Sequence, residues 1–347
     1  MDNRIQLTCD FGNQKTASFK APNDVSSIAD TLSFDRVVLR ENGNNFISRY
    51  INRMRSISVA EKSIQSESIV LLQYPIYYKN HRLFSFIDNI KNIKKCKIIT
   101  LFHDINSLRN NEDLFEKKVF ERILRYTDVY IVHNDVMKKY LVGIGCSRDK
   151  IVSLEIFDYL FKETDFESTY SKSVTIAGNL DTNKAAYISQ LDHIKSIKFN
   201  LYGVNFDEKL ADAENINYFG SFSATEIPEK LNTGFGLVWD GNSIESCTGA
   251  TGEYLKINNP HKLSLYLVSG IPVVIWKEAA EAEFVRKNKV GLCVASLKEL
   301  ENTMSTMTEG EYRIMLENVK VMQRRLSTGY YTKKALDEAI SILNKVR

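Results

Sequence analysis

The chain has 347 residues, of which 44% are hydrophobic and 26% charged, which is ordinary for a soluble globular protein and enough for two cores. The net charge of +3 is too small to indicate nucleic-acid binding, and no run of about 18 apolar residues predicts a transmembrane helix. The N-terminus lacks the apolar core of a signal peptide, and the five cysteines form no CxxC pair. This usage argues against a disulfide framework or a zinc site and predicts a cytoplasmic protein.

The first half of the chain alternates short buried strands with amphipathic helical stretches. The predicted strands are residues 5–9, 36–39, 69–73, 97–101 and 129–132. The predicted helices between them are residues 46–57, 83–93, 114–126 and 136–142. Strands that alternate with helices predict a parallel sheet with crossover connections.

A polar, aperiodic stretch at 162–173 predicts a domain boundary, and a second alternation of strands and helices follows it. The second set of predicted strands is residues 174–177, 199–202, 235–239, 272–276 and 291–293. We therefore expect an N-terminal domain at 1–165 and a C-terminal domain at 166–347, both Rossmann-like and doubly wound, with a cleft between the carboxyl ends of their sheets. Residues 311–345 are helical by pattern with a break at Gly329, and the last helix could pack back on the N-terminal domain.

The stretch from 235 to 276 carries the strongest functional signal. A polar loop follows its first strand, and a helix is predicted to begin at the Asn-Pro-His-Lys run, residues 259–262. A proline in the first turn and a glycine past the end, here Gly270, are typical limits of a helix. A helix N-terminus exposes backbone N–H groups and the positive end of the helix dipole, so it suits an anion. Because Lys262 lies on that first turn, the sequence predicts a seat for a diphosphate, which an enzyme with a nucleotide-sugar donor needs.

Polar residues and glycines follow most of the other predicted strands as well. Ligands of open α/β sheets bind beyond the carboxyl ends of the strands, so these residues are site candidates. They are residues 10–15, His103-Asp104, His133-Asn134, Gly178-Asn179, Gly203, Gly220-Ser221-Phe222 and the loop 240–262.

Seven runs of the sequence together carry a family resemblance. They are HDINSLR (103–109), VHNDVMKKYL (132–141), IFDYL (156–160), AGNLDTNK (177–184), LYGVNF (201–206), YFGSF (218–222) and FGLVWDG…SCTGATGEYLKINNPHKLSLYL (235–267). The chain resembles the bacterial β-1,6-galactofuranosyltransferases of O-antigen and capsule synthesis from Lys20 to about Gly329. It resembles, more distantly, the glucosyltransferases that extend the GlcNAc of serine-rich streptococcal adhesins. The resemblance implies a GT-B fold whose C-terminal domain holds most of the donor nucleotide without a metal or other cofactor.

The nucleotide part of the donor is expected to contact two cations and a base pocket. Lys262 is the first cation, and the resemblance implies Lys184 as the second, although a lysine after a turn is usually only solvated. The residues expected at the uracil are Gly203, Gly220, Ser221 and Phe222 through their backbone, with Tyr202 or Phe222 lining the base pocket. The alternative for these glycines is a role in turns alone.

The sugar side of the donor is expected at the loop before Lys262. Gly249 and Gly252 would let the backbone approach the sugar closely. Glu253 would accept hydrogen bonds from sugar or ribose hydroxyls, unless it is a surface carboxylate. The other residues expected at the donor are Thr251, Asn259 and His261, and His261 would cap the helix or orient the loop rather than act as a base.

The catalytic candidates are Asp104 and His103, which follow the fourth strand. Inverting transfer needs a carboxylate or histidine to take the proton from the acceptor hydroxyl as it attacks the anomeric carbon. The alternative for Asp104 is a cap of the helix that follows. His133, Asn134 and Asp10 are second in rank. The sequence has no HExxH and no GxxxxGK[ST], which makes zinc-protease and P-loop functions weak alternatives.

The sequence therefore predicts an inverting, UDP-sugar-dependent GT-B glycosyltransferase with UDP-galactofuranose as the favoured donor and a glycan acceptor, expected on a lipid carrier at the inner face of the membrane. Two alternatives stay open: a UDP-glucose-dependent enzyme that extends GlcNAc on a glycoprotein, and a catalytically silent sugar-nucleotide-binding subunit. No nucleic-acid partner is expected, and a homo-oligomer is possible. A basic cluster could touch anionic lipid, or could be a solvated face. Its members are Lys91, Lys94, Lys95 and Lys97, with Lys79 and Arg82 nearby.

Overall fold

The computed structural model describes residues 3–10, 19–40, 42–76, 81–109, 114–162 and 168–345. The chain divides into two compact units. The N-terminal unit contains Met1–Lys15, Ala21–Leu154 and Thr332–Arg347, and the C-terminal unit contains Thr16–Lys20 and Glu155–Tyr331. The boundary predicted between residues 165 and 166 lies outside the described residues.

The N-terminal unit is built on a parallel sheet, which has six strands within the described ranges, in the order β2-β1-β3-β4-β5-β6. The strands are β1 (Arg4–Asp10), β2 (Phe34–Arg40), β3 (Ile69–Tyr74), β4 (Lys97–Phe102), β5 (Val129–Val132) and β6 (Ile151–Ser153). The helices are α1 (Lys20–Thr31), α2 (Phe46–Ser63), α3 (His81–Asp88), α4 (Asn106–Arg109), α5 (Leu114–Tyr126) and α6 (Asp135–Gly143), and a π-helical turn at Asn89–Ile93 follows α3. Strands β3, β4 and β5 are almost entirely buried, which explains their continuous apolar sequences.

The C-terminal unit repeats this plan with a second parallel sheet, again with six strands in the part of the chain that is described, in the order β12-β11-β10-β7-β8-β9. The strands are β7 (Thr169–Asn179), β8 (Lys198–Val204), β9 (Ile216–Tyr218), β10 (Thr233–Val238), β11 (Val273–Trp276) and β12 (Gly291–Val294). The helices are α7 (Gly249–Tyr254), α8 (His261–Val268), α9 (Ala282–Asn288), α10 (Leu297–Thr306), α11 (Glu309–Ser327) and α12 (Tyr330–Lys345). Helix α12 carries the chain back into the N-terminal unit from Thr332 onward.

The strand order of each unit reverses once, and the reversal marks where a ligand is expected. In the C-terminal unit β7, β8 and β9 are placed successively on one side, and β10 then pairs with the other edge of β7. In the N-terminal unit the equivalent reversal lies between β1 and β3, because β1 pairs with β2 on one side and with β3 on the other, where Leu7 is opposite Val37 and Leu72. Open α/β sheets bind ligands at the carboxyl ends of the two strands on either side of such a reversal.

Every strand and helix predicted from the sequence overlaps an observed element, and the two Rossmann-like sheets confirm the predicted fold class. Strands β6 and β9 were not predicted, because three residues are too few to show a period of two. The break predicted at Gly329 separates α11 from α12. Among the described residues, no helix combines the length and the hydropathy that crossing a bilayer would require.

Two local features of the structure were not predicted. The polar stretch 162–173, in which a domain boundary was predicted, contains the start of β7 at Thr169, which pairs with Thr233 of β10. Its polar residues hid the strand because this end of β7 is only partly buried. The polar loop expected between residues 240 and 262 contains helix α7, which two glycines concealed, since glycine is a poor helix former.

Candidate active site

Lys262 lies at the reversal point of the C-terminal sheet. It is the second residue of α8, and its side chain crosses the end of β7, where its Cε lies 3.6 Å from the position that a Cβ on Gly178 would take. Lys262 is half-buried, and its ammonium has no hydrogen-bond or ion-pair partner among the described residues. A half-buried cation without a counter-ion is costly, so this position suits a bound anion.

The N-terminus of α8 adds to the positive field at this point. Pro260 occupies the N-cap position, has no side chain able to accept a hydrogen bond, and makes no side-chain cap. The backbone N–H of Leu263 donates to the Pro260 carbonyl at 2.9 Å, while His261 and Lys262 occupy the first turn, where N–H groups lack intrahelical acceptors. The helix therefore presents free donors and its dipole beside the Lys262 ammonium.

His261 is held as a neutral side chain next to this helix end. Its ring stacks on Tyr159 with centroids 5.0 Å apart, meets Phe157 edge-on, and donates through one nitrogen to the backbone carbonyl of Asp158. Burial, with a smaller contribution from the charge of Lys20, lowers the pKa of His261 to about 4. The other nitrogen, Nε2, is enclosed and has no hydrogen-bond partner among the described residues. At neutral pH His261 thus offers one unused acceptor.

An aromatic cluster forms at the carboxyl ends of β8 and β9. The ring of Tyr202 stacks on Phe219 at 4.9 Å and lies 6.2 Å from Phe222 at a tilt of 47°. Phe206 and Tyr218 form a second stacked pair at 4.2 Å. The rings of Phe219 and Phe222 are both partly exposed to solvent, so a planar base could stack against them. The sequence indicated Tyr202 and Phe222 but missed Phe219, which only the stacking identifies.

Gly203 is required where β7 and β8 end. A Cβ at this position would lie 1.7 Å from the carbonyl oxygen of Gly178, so no side chain fits. Its backbone N–H donates to the carbonyl of Gly220 at 2.8 Å, and its carbonyl accepts from the Tyr218 hydroxyl at 2.9 Å. These bonds tie the predicted uracil loop to the strand that carries Tyr202. Gly203 therefore has a structural role at the turn, and its backbone contact with uracil stays a prediction.

The remaining predicted donor residues have mixed surroundings. Lys184 is exposed at the end of a turn, and its ammonium has no partner among the described residues. Glu253 is exposed and pairs with Lys256 at 2.8 Å. The buried Asn259 donates to the carbonyl of Glu155 at 2.9 Å and so helps to hold the segment that carries Tyr159. Ser221 is exposed, Thr251 is half-buried on α7, and Gly249 begins that helix with φ +81°.

Gly252 has a packing role rather than an open surface. It is buried in α7, and a Cβ there would lie 2.5 Å from the carbonyl carbon of Cys247. Cys247 is itself fully buried, and its thiol lies in the field of Lys262. Gly252 therefore lets α7 approach the backbone of Cys247 closely.

The carboxyl edge of the N-terminal sheet carries His103 and Asp104 just after β4. His103 Nε2 and Gln73 Oε1 are 2.6 Å apart, and the Gln73 amide donates to Ser26 Oγ at 2.9 Å. Because the Gln73 amide nitrogen faces Ser26, its oxygen accepts a hydrogen bond from His103 Nε2. Asp104 is half-buried and lies two residues before Asn106, the first residue of α4. Gln73 and Ser26 carry no sequence signal for this role, which depends on contacts between distant segments.

The second-ranked residues of this unit, His133, Asn134 and Asp10, make hydrogen bonds within the unit. His133 is fully buried, burial lowers its pKa to about 4, and its ring bonds to the backbone of Phe102 and His103. Asn134 caps α6 by accepting from the N–H groups of Val136 and Met137. Asp10 accepts from Asn42 Nδ2 at 2.7 Å, and the rest of the predicted loop, residues 11–15, lies outside the described residues. His133 thus supports the strand end that presents His103 and Asp104.

Two Rossmann-like parallel sheets in one chain are the architecture of the GT-B class of glycosyltransferases. The chain belongs to the glucosyltransferase 3-like family: the model of the family's N-terminal domain matches residues 5–156 and that of its C-terminal domain matches residues 174–339. The family resemblance seen in the sequence is therefore confirmed, and the chain is a glycosyltransferase.

Individual relatives span nearly the whole chain. The β-1,6-galactofuranosyltransferase WbbI of Escherichia coli K12 is 35% identical over 338 residues, which is 95% of this chain and 96% of that protein. Glucosyltransferase 3 of Streptococcus gordonii is 26% identical over 351 residues, which is 97% of this chain and 98% of that protein.

Solved structures share the fold at low sequence identity. Anabaena Alr3699/HepE in complex with UDP and glucose superposes with a TM-score of 0.62 at 11% identity, over 98% of this chain and 100% of that one. The lipopolysaccharide outer core galactosyltransferase WaaB, in its apo form, also gives a TM-score of 0.62 at 11% identity, over 97% and 99% of the two chains.

Proposed function

We propose that this glycosyltransferase moves galactofuranose, with inversion, from UDP-galactofuranose to a hydroxyl of a glycan acceptor in cell-surface polysaccharide synthesis. The observation that carries the UDP-sugar assignment is the half-buried Lys262 ammonium beside Gly178 at the N-terminus of α8, which has no partner among the described residues. The choice of galactofuranose is supported by the 35% identity to a β-1,6-galactofuranosyltransferase over nearly the whole chain.

In the proposed donor complex, the diphosphate binds to the first turn of α8 and to Lys262, with Lys184 as a second cation. These fixed positive groups would stabilise the negative charge that develops on the diphosphate as the bond to the sugar breaks. The uracil would lie against the aromatic cluster of Tyr202, Phe219 and Phe222. Gly220 and Ser221 would contribute backbone contacts.

The sugar ring would meet α7 and the start of α8. His261 Nε2 is a buried acceptor without a partner among the described residues, and we propose that it accepts a hydrogen bond from a sugar hydroxyl. Such a bond discriminates between sugars, because a donor lacking that hydroxyl leaves the acceptor unsatisfied. Thr251 and Glu253 are proposed neighbours of the same hydroxyls.

Asp104 is proposed as the general base. The acceptor oxygen forms a bond to the anomeric carbon, its proton passes to the Asp104 carboxylate, and the bond to the diphosphate oxygen breaks with its electron pair on UDP. His103, which Gln73 holds through Nε2, is proposed to orient the acceptor beside Asp104. The cations in this mechanism are side chains, so we propose that no metal and no other cofactor takes part.

The alternative activity is transfer of glucose from UDP-glucose to GlcNAc on a glycoprotein. Its support is the 26% identity to a streptococcal glucosyltransferase 3. The third possibility is a subunit that binds a sugar nucleotide without transfer. A donor panel separates the three. The protein is mixed with UDP-galactofuranose, UDP-galactopyranose or UDP-glucose and a simple α-glucoside or GlcNAc acceptor, and products are identified by mass spectrometry.

A product only with UDP-galactofuranose supports the proposal. A product only with UDP-glucose would replace it with the second activity, and UDP binding without any product would leave the third. We propose further that the natural acceptor is a lipid-linked glycan, and that the enzyme works in the cytoplasm as a peripheral protein at the inner face of the membrane.

A further inference from the structure

The lysine cluster predicted to touch lipid is partly engaged inside the N-terminal unit. Lys91 forms an ion pair with Asp128, and Lys94 donates to the backbone carbonyls of Glu61 and Ile64. Lys79 lies outside the described residues. The cluster therefore offers fewer free charges than its sequence suggested, and a different surface of this unit is better suited to a membrane.

Helix α2 exposes an apolar stripe along its first two turns. Phe46, Ile47, Tyr50 and Ile51 have exposed fractions of 81%, 69%, 50% and 40%. In a helix, residues i, i+1, i+4 and i+5 share one side, so these four side chains form a continuous surface. Further along, the helix buries Ser56, Ile57 and Ala60 against its own unit. The C-terminal part of α2 is thus anchored, while its N-terminal part presents large apolar groups to solvent.

The exposed turns are well formed rather than frayed. Asn45 and Ser48 make a capping box, in which the Asn45 side chain accepts from the Ser48 N–H at 2.8 Å and Ser48 Oγ accepts from the Asn45 N–H at 3.2 Å. The sequence therefore stabilises a helical end whose apolar face is left exposed by the described part of its unit. A patch of this kind usually marks an interaction surface.

The charges around the stripe favour an anionic surface. Helix α2 contains Arg49, Arg53, Arg55 and Lys62 against Glu61 alone, so its four basic and one acidic residues give a net charge of +3, as large as that of the whole chain. On a helical projection Arg49 lies on one side of the stripe and Arg55 on the other, so both guanidinium groups could reach lipid headgroups while the apolar side chains enter the interface. A second copy is a poorer occupant, because a two-fold interface would bring two such helices and their like charges together.

The stripe lies at the edge of the sheet that carries the proposed catalytic residues. Helix α2 follows the carboxyl end of β2, and α5, which begins with the exposed Leu114 and Phe115, follows the carboxyl end of β4, as do His103 and Asp104. Right-handed crossovers in the order β2-β1-β3-β4-β5 place α2, α3 and α5 on one face of the sheet.

We propose that the first two turns of α2 form an interfacial membrane-binding surface that inserts Phe46, Ile47, Tyr50 and Ile51 into the headgroup region of an anionic bilayer. This inference rests on the proposed function, because a lipid-linked acceptor would then reach the polar edge of the N-terminal unit from the membrane. Arginines on both sides of the stripe supply attraction to anionic lipid, and the apolar side chains supply burial.

Flotation of the full chain with vesicles tests the proposal. Vesicles of phosphatidylethanolamine and phosphatidylglycerol are expected to carry the protein upward, and vesicles of phosphatidylcholine alone are expected to leave most of it behind. The double variant Phe46→Ser/Ile47→Ser is expected to weaken partitioning by about tenfold or more. The double variant Arg49→Gln/Arg55→Gln is expected to weaken it by about tenfold at low ionic strength, with less effect at high salt.

Matched control variants remove comparable exposed side chains from the C-terminal unit. Ile314→Ser/Val321→Ser removes two exposed apolar side chains from α11, and Lys195→Gln/Lys287→Gln removes two exposed cations. Both controls are expected to float like the wild type. Equal loss in the controls, or no flotation of the wild type with anionic vesicles, overturns the proposal. Light scattering tests the other occupant. If the wild type self-associates but binds no vesicles, and Phe46→Ser/Ile47→Ser no longer self-associates, the stripe would be reassigned to contact between copies.

Two further measurements keep this test separate from the proposed function. All α2 variants are expected to bind UDP in calorimetry and to glycosylate a water-soluble acceptor like the wild type. Their thermal unfolding is expected to stay near that of the wild type, because the substituted side chains are exposed. Normal vesicle binding with no transfer to any acceptor would count against the proposed function alone.

Discussion

The two units present different chemistry at the carboxyl edges of similar parallel sheets. In the C-terminal unit the edge carries an uncompensated charge: Lys262 is half-buried beside Gly178, and no described carboxylate pairs with it. In the N-terminal unit His103 bonds to Gln73. His133 is buried and neutral, and its ring bonds to the backbone of His103. A fixed charge binds an anion, whereas a set of groups that titrate or orient each other can move a proton. This difference is the reason for proposing that the C-terminal unit binds the donor and the N-terminal unit removes the proton.

The largest expected effect separates proton removal from donor binding. Asp104→Asn should lower kcat by about 10² to 10⁴, the usual contribution of a positioned base, while calorimetric UDP affinity changes by no more than a fewfold. Asp35→Asn, an exposed carboxylate of the same unit, is the control and should leave kcat near that of the wild type. A kcat for Asp104→Asn within a fewfold of wild type would show a local structural role and move the base to Asp10, His103 or His133.

Acid should destabilise both units through one buried histidine in each. The pKa of His133 and that of His261 are lowered from 6.5 to about 4, so the unfolded chain binds protons first and stability falls as pH drops below 6.5. Each histidine should cost about 2 kcal/mol of stability between about pH 7.5 and about pH 5.

The tryptophans allow the two units to be followed separately. The chain has two, Trp239 and Trp276, and both lie in the C-terminal unit. In urea unfolding, His261→Gln should therefore reduce the acid sensitivity of the tryptophan transition, and His133→Gln should change only circular dichroism. If His133→Gln alters the tryptophan transition equally, the two units unfold together and the assignment of acid sensitivity to separate units fails.

Removal of the proposed anion seat should weaken binding of the donor product. Lys262→Ala should raise the Kd for UDP more than tenfold and nearly abolish transfer, because a charge-assisted contact at a helix N-terminus is lost. Lys184→Ala should have a smaller effect, and Lys277→Ala, an exposed lysine after β11, should have none. Unchanged UDP affinity in Lys262→Ala would disprove the assignment of the diphosphate seat.

A buried carboxyl in the C-terminal unit should be replaceable with a gain in stability. Burial raises the pKa of Glu281 well above its ordinary value, the charge of Glu155 adds to the shift, and Oε2 has no partner among the described residues. The unfolded chain loses this proton first, so the folded state loses stability as pH rises above 4.5. Glu281→Gln should stabilise the unit by about 1–2 kcal/mol at neutral pH in urea unfolding followed by tryptophan fluorescence. The exposed control Glu229→Gln should change stability by less than about 0.5 kcal/mol, and a loss of stability in Glu281→Gln would indicate that the charged form is used.

The smallest expected effect is that of a chelator. If side-chain cations carry the charge of the leaving diphosphate, EDTA should leave the transfer rate unchanged. A rate that falls with EDTA and returns on titration with Mn²⁺ or Mg²⁺ would move that role to a metal ion.

The sequence by itself determined the alternation of strands and helices in both units and the position of Lys262 at the start of α8. These features could be predicted because they depend on local properties: the period of apolar residues, the proline that precedes α8 and the glycine that follows it. The same logic failed for α7, where Gly249 and Gly252 mask a helix, and for the polar start of β7.

Only the tertiary structure decided which side chains support the candidate site and which surface is left uncovered. Gln73 bonds to His103 across 30 residues, and the Cβ that Gly203 lacks would strike the Gly178 carbonyl on a neighbouring strand. The stacking of His261 on Tyr159 and the exposure of Phe46 at the start of α2 are likewise invisible in the sequence. The physical reason is that each depends on strand register and helix packing between distant segments, which local patterns do not encode.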